Sequence, residues 1–276
     1  MESLKSFREF TRNLQWNAEK MPVLFMGHGS PMNGIEHNQF SETWASLGRT
    51  LPVPTAVLVV SAHWLTRGTR ITAMDFPPTI HDFGGFPGAL YEVQYPAPGS
   101  PDLARETVAA IHSTEVVEDH DWGLDHGAWT IIRNMYPEAK IPVLQMSIDF
   151  TKDGAYHYQL AKELAFLRKK GVLIIGSGNM VHNLRLLSFD RINEPFGFDW
   201  AAEMNETFKK DILERRHDEL IAYEKIGPQA KLAIPTPDHY FPLLYTLGLQ
   251  EEADQATLFN DSLLAGSLTM TSVLLH

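Results

Sequence analysis

The chain has 276 residues, 44% of them hydrophobic, no cysteine and a formal net charge of −11. That length buries one substantial core and suits a single α/β unit, while the lack of cysteine excludes disulfides, iron–sulfur clusters and thiolate zinc sites. The negative balance argues against nucleic acid and anionic membranes as partners, and no apolar run is long enough to cross a bilayer.

In chain order, Met1 to Lys20 mixes charged and single apolar residues without the apolar stretch of a secretory signal. We read 1–20 as an arm, 21–276 as one domain, and the cytoplasm as the default location. Short apolar or β-branched runs predict strands over Val23 to Met26, Ala56 to Val60, Arg70 to Met74, Pro142 to Ile148, Val172 to Ile175 and Ser267 to Leu275. Apolar spacing of three and four predicts helices over Phe40 to Leu47, Pro101 to Ile111, Ala128 to Met135, Tyr156 to Arg168, Trp200 to Glu214, Asp218 to Ile226 and His239 to Leu247. Phe76 to Ser100, rich in proline, glycine and aromatics, reads as a long irregular loop forming a wall or lid. The expected fold is a three-layer αβα domain around a mostly parallel or mixed central sheet.

Three histidines sit just past predicted strands, in Met26-Gly27-His28-Gly29-Ser30, Val59-Val60-Ser61-Ala62-His63-Trp64 and Asn179-Met180-Val181-His182-Asn183. A lone histidine there is ordinarily a hydrogen-bonded, half-buried residue. Three together, with His239 in Pro235-Thr236-Pro237-Asp238-His239-Tyr240, point to a shared metal site, because open α/β sheets gather ligands outside the carboxyl ends of their strands. With no thiolate available, imidazole, carboxylate or water must hold that metal. His37, His112, His157, His217 and His276 read as solvated, and His81 and His120 as surface residues. His126, in Trp122-Gly123-Leu124-Asp125-His126-Gly127, stands where a helix begins; it reads either as a residue supporting or touching a ligand, or as the neighbour of an Asp125 helix cap.

Other chemistries fit less well. Ser30, Ser61 and Ser177 lie near the histidines, yet none sits in a G-x-S-x-G elbow. Ile175-Gly176-Ser177-Gly178-Asn179 matches neither a dinucleotide fingerprint nor a Walker loop, and no H-E-x-x-H helix exists.

Gly27-His28-Gly29-Ser30-Pro31, Ser61-Ala62-His63-Trp64, Ile80-His81-Asp82-Phe83-Gly84-Gly85-Phe86-Pro87, Tyr95-Pro96-Ala97-Pro98-Gly99, Asp125-His126-Gly127, Gly178-Asn179-Met180-Val181-His182-Asn183-Leu184 and Pro235-Thr236-Pro237-Asp238-His239-Tyr240 together resemble the type III extradiol ring-cleavage dioxygenases. Within them the likeness is to the bacterial and plant 4,5-DOPA extradiol branch, running from about Met21 to the C-terminus. The resemblance implies a non-haem Fe(II) enzyme that opens a catechol ring beside its hydroxyls with O2, giving a semialdehyde. It implies His28, His63 and His239 as metal ligands, His182 as acid/base residue and possible fourth ligand, and His126 as a substrate contact. The wider family has glutamate as third ligand, whereas His239, with Asp238 beside it, occupies that place here. An all-nitrogen set also accepts Zn(II). Phe83 and Phe86 are expected to wall the substrate ring. Arg67, Arg70, Arg133 and Arg185 are candidate partners for a substrate carboxylate. The alternatives are a zinc-dependent hydrolase on the same histidines and a non-catalytic, Memo-like binding protein. A monomer or homodimer is the expected state.

Overall fold

Alternation along the strands sets the layering, because successive side chains of a strand point to opposite faces. The computed structural model describes residues 7, 9–11, 16, 20–192 and 194–276, so most of the 1–20 arm lies outside the described residues. In β1 (Val23–Gly27), Val23 and Phe25 enter one apolar cluster, Leu24 and Met26 the other. The same division separates Leu58 and Val60 from Val57 and Val59 in β2 (Ala56–Thr66), and Ile174 from Leu173 and Ile175 in β6 (Val172–Gly178). Strands buried on both faces read as unbroken apolar runs, which is how the sequence presents them.

With β3 (Thr69–Thr72), β4 (Val116–Asp119), β5 (Val143–Asp149), β7 (Ala256–Phe259) and β10 (Ser272–Leu275), these strands form an eight-stranded sheet in the order β4-β3-β5-β2-β6-β1-β10-β7. The central four, β5, β2, β6 and β1, run parallel. The β3–β5, β1–β10 and β10–β7 pairs are antiparallel, so the sheet is mixed. Helices Gln39–Thr50 and His126–Met135 cover one face through Trp44, Leu47, Trp129 and Ile132; helices Gly154–Glu163, Asp199–Leu213 and Phe241–Gly248 cover the other through Leu160, Phe208 and Leu244. This is the expected three-layer αβα arrangement.

Several predicted elements differ in detail. The run Ser267 to Leu275 is the end of a small hairpin, β8 (Leu263–Leu264) with β9 (Leu268–Thr269), followed by β10; Ala265 and Gly266 close its turn at φ 50° and 88°. Tyr156 to Arg168 divides into Gly154–Glu163 and Ala165–Lys169, and Asp218 to Ile226 shortens to His217–Ile221 with a 3-10 turn at Tyr223–Lys225. The expected irregular loop contains one helical turn, Gly88–Tyr91, and Gln229–Ala233 forms a helix that was not predicted. His157 is fully buried rather than solvated: its helix packs on Phe241–Gly248, placing the ring 4.4 Å from that of Phe241 and Nδ1 3.2 Å from the Tyr245 hydroxyl. His217 and His276 are half-buried rather than solvated, and His81, read as a surface residue, is half-buried as well, its Nε2 2.9 Å from the Val93 carbonyl.

A buried cation pins the sheet to its supports. Arg168, fully buried, donates to the Met21 and Leu249 carbonyls, each at 2.8 Å, and to both carboxylate oxygens of Asp254 at 2.6 and 3.1 Å. Met21 leads into β1, so this node fixes the start of the strand that ends at His28. Burial alone would push the Asp254 carboxyl up, but hydrogen bonds from Arg168 and Lys20 hold it at about 2. Replacing Arg168 with Met strips the buried Asp254 carboxylate of its bidentate partner, leaving it to Lys20 and the Glu251 backbone N, and is expected to cost about 3 kcal/mol in denaturant unfolding at pH 7. The stability this depressed pKa confers is complete above the ordinary carboxylate range and is lost as pH falls toward 2, so the gap between wild type and variant should narrow below pH ~4. A loss below about 1 kcal/mol at pH 7 would show that the node does not support the fold.

Candidate active site

Parallel register brings the first two histidines together. Met26 of β1 and Ser61 of β2 both pair with Ser177 of β6, and His28 and His63 each lie two residues further on. A period of two keeps them on the face that Ser177 occupies. A register shift between Val60 and Leu65 accompanies the turn of His63 toward the sheet end. His239 arrives from the opposite face, just before helix Phe241–Gly248; its carbonyl accepts from Asn179 N at 2.9 Å. Glycine at 178 permits that approach, since a Cβ there would collide with the His239 carbonyl.

His28 Nε2 lies 3.1 Å from His63 Nε2, and one ring nitrogen each of His28, His63 and His239 fall within 4.8 Å of one another. Each ring has an oxygen behind its Nδ1. The Ser177 hydroxyl donates to the Gly127 carbonyl at 2.6 Å, so at 3.1 Å from His28 Nδ1 it acts as acceptor. Asp82 Oδ2 stands 3.3 Å from His63 Nδ1, and Asp238 Oδ2 makes a short contact with His239 Nδ1. These oxygens favour ring protons on Nδ1, which leaves the facing Nε2 atoms of His28 and His63 with lone pairs turned toward each other. Lone pairs converging at this distance repel unless a cation lies among them. The residues therefore fit a metal bound by three neutral imidazoles.

The His182 ring stacks on His239, centroids 3.5 Å apart and planes 6° from parallel. Its nitrogen groups with Asp238 and His239 rather than with His28 and His63. His126 is buried at the start of helix His126–Met135, its ring 3.9 Å from that of His63, and its Nδ1 is 3.0 Å from Asp82 Oδ2. Asp125 does cap this helix, accepting from Ala128 N at 3.1 Å, and it also receives Ser61 Oγ and Gln145 Nε2, each at 2.7 Å. Burial and the nearby Asp82 charge raise the Asp125 carboxyl above its usual range. Gly127 admits this packing, because a Cβ there would meet Ser61 Oγ at 2.5 Å and His63 at 2.9 Å.

Phe83 packs edge-on to His126 at 5.6 Å and touches Phe86 at 5.5 Å and Tyr91 at 5.1 Å between ring centroids. The loop holding them is tied down: Trp129 Nε1 donates to the Ile80 carbonyl at 2.9 Å, and Ile80 N to the Leu124 carbonyl at 2.7 Å. Among the arginines, Arg70 pairs with Asp119 at 3.0 Å, Arg133 donates to the Gly34 carbonyl and Arg67 lies over Phe150. Arg185 is exposed in the turn Leu184–Leu186.

Sequence reasoning did not single out Asp82, Ser177 or Gln145 as site residues. Ser177 and Gln145 carried a usable signal, since a polar side chain inside an apolar strand run must find a partner. Asp82 carried none beyond its place next to Phe83.

The family described as the catalytic LigB subunit of aromatic ring-opening dioxygenase matches residues 22–273. The 4,5-DOPA dioxygenase extradiol of Escherichia coli K12 is 45% identical over 267 residues, covering 95% of this chain and 97% of that protein. Its namesake from Beta vulgaris is 38% identical over 249 residues, covering 87% and 91%. A crystal structure of an uncharacterised Escherichia coli K12 protein superposes with a TM-score of 0.81 at 40% identity, covering 93% of this chain and all of the other.

Burial, then the charge of neighbouring imidazoles, holds His28 and His63 well below the usual 6.5; burial and His239, opposed by Asp238, take His182 down to about 3. Burial also takes His157 to about 4. All four are neutral in the folded protein near pH 7, while the unfolded chain protonates each near 6.5. Stability of the metal-free protein should therefore be complete above pH ~6.5 and fall below it, by up to about 1.4 kcal/mol per pH unit for each ring. Denaturant midpoints measured with chelator at pH 7.5, 6.5 and 5.5 should descend, and less steeply in His157→Gln; equal midpoints would mean these rings protonate freely in the fold.

Proposed function

The chain belongs to the LigB family of aromatic ring-opening dioxygenases, and from that membership we propose that residues 21–276 form the catalytic domain of an enzyme that opens a catechol such as L-DOPA. In this reaction the bond between a hydroxylated ring carbon and its neighbour outside the diol breaks. One atom of O2 ends on each new terminus, giving a carboxylate and an aldehyde. The observation that carries this reading is the convergence of three imidazoles, each backed by an oxygen, beside an aromatic wall.

LigB-type dioxygenases depend on a metal, and we assign Fe(II) to His28, His63 and His239. Iron supplies open coordination positions and the one-electron chemistry that lets triplet O2 react with a closed-shell ring. The same nitrogen set holds zinc readily, so purified protein is expected to carry some Zn(II).

The remaining steps fall to the chain. His182, grouped with Asp238 and His239, takes a proton from a catechol hydroxyl as substrate binds and returns one as the ring opens. Its stacking on His239 places it one ring thickness from the ligand set. His126, with Nδ1 turned to Asp82, presents the other edge of its ring to a catechol oxygen. Phe83 and Phe86 lie against the substrate ring and keep bulk water away. Catechol and O2 are the partners, met in the cytoplasm by a monomer or homodimer. Among the described residues no helix is long and apolar enough to cross a membrane.

Two measurements test this reading. After anaerobic loading with Fe(II), L-DOPA and simple catechols should give stoichiometric O2 uptake and the absorbance of a ring-opened product, while a zinc-loaded sample gives neither; no uptake with a filled site would refute catalysis. Among variants, His28→Ala, His63→Ala and His239→Ala should lose metal and activity together. His182→Ala should keep most of its metal and lose turnover by about 100-fold or more. Equal metal loss in His182→Ala would make it a ligand instead.

A further inference from the structure

The loop that carries the aromatic wall also delivers a carboxylate to two rings at once. Asp82 Oδ1 accepts from the His126 backbone N at 2.8 Å, while Oδ2 lies 3.0 Å from His126 Nδ1 and 3.3 Å from His63 Nδ1. The two rings differ in task under the reading above, which this inference rests on: His63 faces the metal and His126 the substrate. Their centroids are 3.9 Å apart, so neither ring can turn without displacing the other.

The other two ligand rings lean on different residues. His28 leans on Ser177, whose hydroxyl is committed to the Gly127 carbonyl, and His239 leans on the adjacent Asp238. His63 shares its supporting carboxylate oxygen with His126, the ring that faces the substrate. Asp82 also precedes Phe83, whose ring meets His126 edge-on, so a displacement of this carboxylate reaches metal ligand, substrate contact and apolar wall together.

We propose that Asp82 is a positioning residue whose single buried oxygen Oδ2, 3.0 Å from His126 Nδ1 and 3.3 Å from His63 Nδ1, orients both rings by its charge, coupling metal affinity to substrate orientation. An asparagine in its place keeps the shape but presents only one acceptor oxygen. That oxygen can serve the His126 backbone N or the two rings, not both, and an amide NH2 turned toward a ring favours the wrong tautomer, with its proton on Nε2.

The test measures Zn(II) affinity by chelator competition and steady-state kinetics at saturating Fe(II), for Asp82→Asn, Asp82→Glu, His63→Ala, His126→Ala and the Asp82→Asn/His126→Ala double variant. Asp82→Asn should bind zinc about 10–100-fold more weakly, the usual consequence of removing a support behind a metal-bound histidine. Its kcat should fall more than its KM rises. In the His126→Ala background the same change should still weaken zinc binding but lower kcat little further, because one of the two rings it serves is gone. Asp82→Glu, which retains the carboxylate, should bind zinc more tightly than Asp82→Asn; a residue needed only for loop packing would show the reverse, since glutamate is the larger change. Zinc affinity within threefold of wild type in Asp82→Asn, or kcat losses that multiply independently with His126→Ala, would overturn the proposal. If His63→Ala loses zinc while Asp82→Asn does not, this inference fails alone; if His63→Ala keeps its zinc, the ligand assignment beneath it fails as well.

Discussion

Parallel pairing of β1, β6 and β2 is the constraint on which the rest depends. One row of the sheet aligns Met26, Ser177 and Ser61, and the pleat then carries His28 and His63 to the same face two residues later. Helix His126–Met135 packs on that face, so its first residue meets the two histidines and its Gly127 carbonyl holds the Ser177 hydroxyl behind His28. A one-residue slip of β1 against β6 would turn His28 into the opposite core and bring Gly27 to the site. The register is secured by unbroken apolar strands packed on both sides and by the Arg168 node at the start of β1. Catalytic geometry and core packing are here one requirement.

Crowding several imidazoles into a buried space is unfavourable for the protein alone. Each protonation is penalised by burial and by the neighbouring rings, and each inward lone pair faces another. The chain offsets this with oxygens placed behind the rings rather than among them: Ser177, Asp82 and Asp238. The result is a set of neutral donors already oriented, which a divalent cation completes. Water exclusion follows from the same construction, since His28 and His239 are buried and Phe83 lies against His126.

Much of this was legible in the sequence because the informative residues sit at strand ends. His28, His63 and His182 follow runs whose apolar character is unmistakable, and a doubly-wound sheet gathers such ends. The edge strands escaped notice for the opposite reason. Val116-Val117-Glu118-Asp119 and Ala256-Thr257-Leu258-Phe259 are short and partly polar, and become strands only because a neighbour offers its edge. His157 looked solvated in a polar stretch, yet tertiary packing against Phe241 and Tyr245 decided its burial. Asp82 was invisible as a site residue, because its partners are 19 and 44 positions away and no periodicity links a loop carboxylate to a strand-end histidine.

The donor set itself raises a question of charge. Three neutral imidazoles leave a bound dication uncompensated, and a carboxylate ligand would cancel part of that charge at the expense of a coordination position. Here Asp238 sits one ring away: burial would raise its carboxyl, yet the hydrogen bond with His239 and contact with Thr236 hold it well below the usual range. Asp82 is likewise kept ionised by His126 against the effect of its burial. Two negative charges thus act through imidazoles, and would raise their basicity as ligands without taking up a coordination position on a bound metal. Replacing a carboxylate ligand by a histidine with a carboxylate behind it therefore moves the compensating charge outward by one ring instead of removing it. With His239 as the proposed third ligand, this is how an all-imidazole set would offset the charge of a bound cation.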